Sequence, residues 1–112
     1  MIDLSCDELM TVKKILVQYV PGLEIRAFGS RINGGTKPYS DLDLVIVAKE
    51  KIPQEILMAL KDAFQESSLS FRVDVLDWQR ISPEFKEVIA RKYIVILKNN
   101  PSPPENREGG SG

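Results

Sequence analysis

The chain has 112 residues, with 15 Lys and Arg against 16 Asp and Glu, and it contains no histidine. This length predicts one domain, and the near-zero net charge with scattered basic residues argues against DNA as the main substrate. The absence of histidine excludes Ser-His-Asp and Cys-His catalysis and histidine zinc sites, which leaves carboxylate chemistry.

The cysteine content and hydropathy bear on the compartment. Cys6 is the single cysteine, so an intrachain disulfide is impossible and a reducing compartment is favoured. The first residues lack a signal-peptide pattern, and no stretch reaches the roughly 18 apolar residues of a membrane span. We expect a cytoplasmic protein that does not associate with membranes.

An amphipathic helix is predicted to begin after Ser5. Ser5 and Glu8 fit a capping box, in which each side chain accepts a hydrogen bond from the other residue's backbone N–H. Residues 21–22, Pro-Gly, end the pattern. The apolar positions recur at helical spacing and predict a core-facing stripe of Leu9, Val12, Ile15, Leu16 and Tyr19.

A short strand at residues 24–28 leads into Gly29 and Ser30. Glycine permits a tight turn and leaves backbone N–H groups free, which suits an anion. A single helical turn at residues 30–33 would point its N-terminal amides at the same anion. We therefore expect a phosphate group at this turn.

Asp41 and Asp43 begin a second, strongly apolar strand that runs to Val47. Residues two apart project from one face of a strand, so the two carboxylates should face the same way. Adjacent carboxylates repel each other and are costly to bury unpaired, so a counter-cation is expected. Oxygen-only ligands favour magnesium, which also binds nucleotide phosphates.

A third strand, residues 71–77, carries Asp74 between two valines. A carboxylate in a central strand needs a partner. Arg72 is expected to project from the opposite face, which leaves a metal shared with the first two carboxylates as that partner. Asp77 competes for the same role, but its parity is opposite and its place at the strand end is typical of a turn cap, so Asp74 is preferred.

Two helices and a final strand complete the predicted elements. One helix follows Pro53, and residues 93–97 form the last strand. The element order predicts an α+β fold with a small mixed sheet and helices packed mainly on one side. The last helix begins at residues 82–84, Ser-Pro-Glu, and should bury Phe85, Val88 and Ile89.

The C-terminal composition changes abruptly after Lys98. Residues 99–112 hold Asn, Pro, Ser, Glu and Gly with one arginine and none of the large apolar residues, which predicts a disordered tail. Its last four residues, Gly-Gly-Ser-Gly, are typical of an artificial linker. The folded domain is therefore assigned to residues 1–98.

These motifs together carry a family resemblance. Gly29 and Ser30, followed after ten residues by Asp41-Leu42-Asp43, match the signature of the DNA polymerase β-like nucleotidyltransferase superfamily. From about Leu4 to Leu97 the chain resembles a minimal nucleotidyltransferase (MNT) domain. The runs at residues 72–78 and 85–89 are similar to the subgroup encoded beside a helical HEPN-type protein.

The resemblance implies a polymerase β-like fold and a catalytic triad of acids. It implies that Asp41 and Asp43 bind Mg²⁺, with two ions expected, and that Asp74 completes the metal site and helps to activate the acceptor hydroxyl. It also implies that ATP is the co-substrate. The nucleotide-binding residues that it implies are Gly29, Ser30, Arg31 and Ser40.

The expected reaction transfers AMP from MgATP to an acceptor hydroxyl and releases pyrophosphate. A chain of this length has little room to build an acceptor pocket, so a partner should supply the acceptor. The resemblance favours a tyrosine on a co-encoded HEPN-type toxin. The alternatives are a helical partner that brings a small-molecule substrate, modification of a drug by the chain alone, and an antitoxin that only masks its partner.

Overall fold

The computed structural model describes residues 4–29 and 41–98 of the chain. The predicted helical turn at residues 30–33 and the predicted tail at 99–112 lie outside the described residues. The domain boundary at residue 98 therefore stays a prediction.

Helices and strands are mixed along the described part of the chain, and the first two strands follow one another without a described helix between them. They are the helices α1 (Cys6–Tyr19), α2 (Gln54–Gln65) and α3 (Pro83–Arg91), and the strands β1 (Glu24–Phe28), β2 (Leu42–Val47), β3 (Val73–Asp77) and β4 (Ile94–Leu97). Four strands form one sheet in the order β3-β2-β1-β4. β1 is antiparallel to β2 and β4, whereas β2 and β3 are parallel. The expected α+β fold with a mixed sheet is confirmed.

Local sequence signals set the helix starts. Ser5 and Glu8 form the predicted capping box, and the Ser82 side chain accepts a hydrogen bond from the Phe85 amide at 3.1 Å. Such caps satisfy amides that the first helical turn leaves without a partner. Pro53 is the N-cap residue of α2, one position before the helix begins.

The two faces of the sheet differ in composition. One face is buried against α1 and α2, which add Val12, Leu16, Leu57 and Leu60 to the core. On the other face, α3 packs Phe85 edge-on against Phe28, with ring centroids 5.7 Å apart. We call this second face the carboxylate face, and its strand residues are Arg26, Phe28, Asp43, Val45, Asp74 and Leu76.

One prediction about the last helix is wrong. Ile89 is fully buried, but Val88 is 53% exposed rather than on the buried side. The reason is that Val88 lines an open cavity between α3 and the sheet rather than the core. No helix within residues 4–29 and 41–98 has the length and apolar character needed to cross a bilayer.

Candidate active site

The centre of the site is a pair of carboxylates on neighbouring parallel strands. Asp43 of β2 is directly paired in register with Asp74 of β3. Asp43 is half-buried and Asp74 is exposed, although Val73 and Val75 on either side of Asp74 are buried. The parallel register therefore brings together two acids that lie 31 residues apart in sequence (74 minus 43).

Repulsion and burial act together on Asp43. Partial burial raises its pKa above the ordinary carboxyl value, and the negative charges of Asp74 and Asp41 raise it further. Asp41 is the residue before β2 and is half-buried. The raised pKa indicates that burial, and then the neighbouring like charges, disfavour the ionised form of Asp43.

No cation of the described part of the chain neutralises this pair. The ion pairs there join Arg26 to Glu24, Arg80 to Asp77, and Arg91 to Glu87. Arg26 shares the carboxylate face but is held away by stacking, with its guanidinium 4.4 Å from the Tyr93 ring centroid and 5.3 Å from that of Trp78. Within residues 4–29 and 41–98, Asp43 and Asp74 therefore have no ion-pair partner.

Gly29 closes one side of the site. It follows β1 with a φ of +89°, a backbone conformation that favours glycine. A Cβ atom added at this position would clash with Oδ2 of Asp43, so the Asp43 carboxylate would have to move. The missing side chain therefore brings backbone against the carboxylate, and the predicted Gly-Ser turn begins beside the predicted acids.

A cavity of about 450 Å³ lies above these groups on the carboxylate face. This size falls within the roughly 300–1,000 Å³ range typical of small-molecule sites. One wall carries Asp43 and Asp74, and Gly29 lines the same space. Phe28 and Leu76 line the cavity from the same face of the sheet, and Phe85, Val88 and Lys92 line it from α3 and the residue after it.

Asp77 has a different role, as its parity predicted. It is buried on the other face of the sheet and accepts hydrogen bonds from the amides of Ile52 and Gln79, at 2.7 and 2.9 Å. The Arg80 side chain donates a third at 3.1 Å. These partners satisfy the carboxylate inside the fold, so it is not directed toward the cavity.

One parity argument from the sequence is wrong. Arg72 was expected to project from the face opposite to Asp74, but residues two apart share a side of an extended chain. Arg72 and Asp74 are both exposed while Val73 between them is buried, and both line a second cavity beside β3. Arg72 is therefore a neighbour of the candidate site.

The other predicted site residues are only partly described. Ser30, Arg31 and Ser40 lie outside the described residues, so their nucleotide contacts stay a prediction. Among the residues that the structure describes, no group of three or more acidic or thiol side chains is arranged to hold a metal ion. The assignment of Asp41, Asp43 and Asp74 as common metal ligands also stays a prediction.

The sequence analysis missed the apolar wall of the cavity. Phe85 and Val88 were assigned to the core, and Leu76 and Lys92 had no assigned role. The spacing of Phe85 and Val88 was the available signal, since residues three apart share a helix face. Lys92 follows the end of α3, so helical spacing does not predict its place in the cavity.

The family comparison covers nearly the whole chain. The sequence profile described as Polymerase beta, Nucleotidyltransferase matches residues 10–102. A curated relative from Haemophilus influenzae, named "Probable protein adenylyltransferase MntA", is 47% identical over 95 residues, which cover 85% of this chain and 83% of the relative.

Solved structures share the fold. A toxin–antitoxin crystal structure with AMP-PNP matches with a TM-score of 0.69 and 22% identity, covering 80% of this chain and 73% of the other. A tri-AMPylated Shewanella oneidensis HEPN toxin in complex with MNT antitoxin matches with a TM-score of 0.62 and 22% identity, covering 80% and 69%. At these identities the likeness establishes the fold.

Proposed function

This chain is a nucleotidyltransferase of the polymerase β family, and we propose that it transfers AMP from ATP to a tyrosine hydroxyl of a co-encoded HEPN-type toxin. The observation that carries this proposal is the in-register pair of Asp43 and Asp74 against the unsubstituted Cα of Gly29. The 47% identical relative named as a protein adenylyltransferase supports the choice of a protein acceptor.

The donor set fits a divalent cation. Asp43 and Asp74 offer only oxygen atoms, they form no ion pair with another described residue, and Mg²⁺ prefers such ligands. Asp41 would complete the set. When bound, Mg²⁺ would supply positive charge that offsets the phosphates and lowers the pKa of the acceptor hydroxyl.

The remaining chemistry belongs to the protein. The acceptor oxygen attacks the α-phosphorus of ATP, the bond between the α-phosphorus and the bridging oxygen breaks, and pyrophosphate leaves with the electron pair. Asp74 is the exposed acid of the pair and accepts the hydroxyl proton. The amides of Gly29 and of the Gly-Ser turn predicted from the sequence would hold the leaving phosphates, so that alignment and electrostatics provide most of the rate gain.

A partner must bring the acceptor. Asp74 lies on β3, which is an edge strand of the sheet, and its side chain is exposed. The cavity beside it is open to solvent along α3, where Val88 is exposed. A toxin surface can therefore approach the acids without displacing any described element.

The test uses α-³²P-labelled ATP, Mg²⁺ and the co-encoded HEPN-type protein. The expected result is label on the partner, lost on mutation of its acceptor tyrosine and lost in Asp43→Asn of this chain. Exposed Asp62→Asn is the matched control and should transfer normally. Tight binding of the partner without label would support masking, and label on a small molecule without the partner would support drug modification.

A further inference from the structure

A lysine lines the cavity of the candidate active site and has no role in the transfer described above. Lys92 is exposed and lines this cavity together with Gly29 and the two acids. It is the C-cap residue of α3, and its backbone amide donates to the Ile89 carbonyl at 3.1 Å. Its own backbone is extended, so the chain leaves the helix at this residue and enters β4 two positions later.

The ladder between β1 and β4 fixes where along the cavity Lys92 lies. Ala27 is paired with Ile94 in this antiparallel ladder. Two residues further along each chain, the same register sets Gly29 opposite Lys92. The two acids lie one and two strands further across the sheet, on β2 and β3. Lys92 is therefore at the end of the cavity where the predicted Gly-Ser turn begins.

The charge of Lys92 has no partner in the part of the chain that the structure describes. The ion pairs found there do not include it. Arg26 also lies on the carboxylate face, but it pairs with Glu24 and stacks on two aromatic rings. Lys86 of α3 lies over the Trp78 ring, 5.7 Å from its centroid. Among the described basic residues, Lys92 is thus the one that a ligand in this cavity would meet.

Two requirements restrict the class of that ligand. The pair of Asp43 and Asp74 requires a cation, whereas Lys92 requires an anion at the other end of the same space. A tyrosine side chain or a nucleoside meets neither requirement. A metal-bound polyphosphate meets both, because its metal can bind the acids while its terminal phosphates accept charge-assisted hydrogen bonds from an ammonium group.

We propose that Lys92 and the backbone of Gly29 form the two sides of a site for the β- and γ-phosphates of ATP, and that Lys92 stabilises pyrophosphate as it leaves. This inference rests on the proposed function. The acceptor oxygen bonds to the α-phosphorus and its proton passes to Asp74. The bond between the α-phosphorus and the bridging oxygen breaks, and its electron pair stays on pyrophosphate, whose new negative charge lies beside the Lys92 ammonium.

The first test measures binding, with Mg²⁺ present and without an acceptor. Pyrophosphate, AMP-PNP and AMP are each titrated by calorimetry into the wild type, Lys92→Met and Lys92→Arg. Lys92→Met should bind pyrophosphate and AMP-PNP about tenfold more weakly and AMP within about twofold of wild type, because AMP lacks the β- and γ-phosphates. Lys92→Arg should restore most of the affinity. Failure of the wild type to bind pyrophosphate, unchanged affinities in Lys92→Met, or an equal loss for AMP would overturn the proposal.

Lys98→Met is the matched control, since it removes another exposed lysine. Leu97 before it is paired with Ile25, so Lys98 lies at the end of the ladder away from Gly29. It lines neither cavity that contains Asp74. All three affinities of Lys98→Met should match wild type, and a loss equal to that of Lys92→Met would refute a local contact.

The second test follows transfer to the HEPN-type partner from ATP or from its β,γ-difluoromethylene analogue, whose leaving group accepts negative charge more readily. Lys92→Met should lower kcat about tenfold with ATP and by less with the analogue. An equal loss with both nucleotides would refute a contact with the leaving phosphates. If the wild type labels no partner yet the binding results are as expected, the proposed function fails while the phosphate site stands.

Discussion

At the scale of single residues, Asp43 has an electrostatically unfavourable position. It is half-buried, it is paired with another carboxylate across the β2–β3 ladder, and it has Gly29 backbone against it. Burial and the neighbouring carboxylates disfavour the ionised form of this side chain in the protein alone. A bound cation would offset the repulsion between these carboxylates. The raised pKa of Asp43 therefore favours a cation as the ligand of this site.

Replacement of Asp43 by asparagine should stabilise the metal-free protein at neutral pH. The raised pKa means that the folded state keeps this proton to a higher pH than the unfolded chain, so ionisation costs stability as pH rises from about 3.8 through the folded-state pKa. Asp43→Asn should therefore gain roughly 0.2–1 kcal/mol at pH 7, and the gain should vanish near pH 3, where both states hold the proton. Urea unfolding with EDTA at both pH values measures this, and a destabilised variant at pH 7 would contradict it.

Replacement of Gly29 by alanine should damage the site itself. The positive φ costs about 1 kcal/mol for any Cβ, and the added atom would also force the Asp43 carboxylate to move. Gly22→Ala is the matched control, because Gly22 also has a positive φ, of 75°, but precedes β1 at the opposite end from the acids. Both variants should lose similar stability in thermal unfolding, and only Gly29→Ala should lose AMP transfer by more than tenfold.

Sequence reasoning succeeds at the residue scale where strand parity decides. Asp74 and Asp77 lie an odd number of positions apart, and the structure directs them to opposite faces, as expected. The same rule, wrongly applied, separated Arg72 from Asp74. The close approach of Gly29 to Asp43 could not be predicted, because it depends on the distance between two strands rather than on either segment.

At the scale of elements, Asp77 joins two connections. Its carboxylate holds the amide of Ile52 before α2 and that of Gln79 after β3, while the Gln79 side chain donates to the Ala48 carbonyl at 2.7 Å. Arg80 donates both to Asp77 and to the Ile52 carbonyl. This network ties the connection that leaves β2 to the turn that leaves β3, and so fixes the two strands that carry the acids.

Asp77→Asn should weaken the fold without removing the chemistry. The amide can replace only one acceptor oxygen, so at least one buried donor loses its partner, at a cost of roughly 1–3 kcal/mol. Asp62→Asn, on the exposed side of α2, should change stability by less than about 0.5 kcal/mol. Urea unfolding gives the stability, and AMP transfer measured well below the transition should stay within a few fold of wild type. A stable but inactive Asp77→Asn would instead place Asp77 in the reaction.

Helix boundaries that are marked by neighbouring residues could be predicted from the sequence. The contacts between segments that are distant in sequence could not. The capping box at Ser5 and the Ser82-Pro83 start mark helix boundaries through neighbouring residues alone. The network around Asp77 joins residues 25 positions apart, so no local pattern announces it. The stacking of Arg26 between Trp78 and Tyr93 was missed for the same reason, since it needs three separate segments.

At the scale of the molecule, the sheet separates stability from function. Its buried face packs on α1 and α2, whereas the carboxylate face is covered only in part by α3. Most of the core therefore forms without contributions from the acids. Repulsion among the acids therefore does not disturb the packing of the buried face, which supplies most of the stability of the fold.

Nucleotide and metal should stabilise the protein together. A ligand that binds only the folded state raises its stability by about 2.7 kcal/mol at a concentration 100 times its Kd. We expect MgATP to raise the melting temperature of the wild type, and EDTA to remove most of that increase. Asp43→Asn should show little increase under the same conditions. Equal stabilisation of both proteins by ATP with EDTA would contradict a metal-dependent site.

The parallel pairing of β2 with β3 also has a kinetic consequence. Parallel neighbours cannot be joined by a hairpin, so the chain crosses over through α2 between β2 and β3. Long-range closure of this kind is slow compared with hairpin formation, because chain entropy is lost before contacts compensate for it. Asp43 and Asp74 should therefore come together late during refolding. A nascent chain released before β3 emerges from the ribosome would carry Asp43 without Asp74.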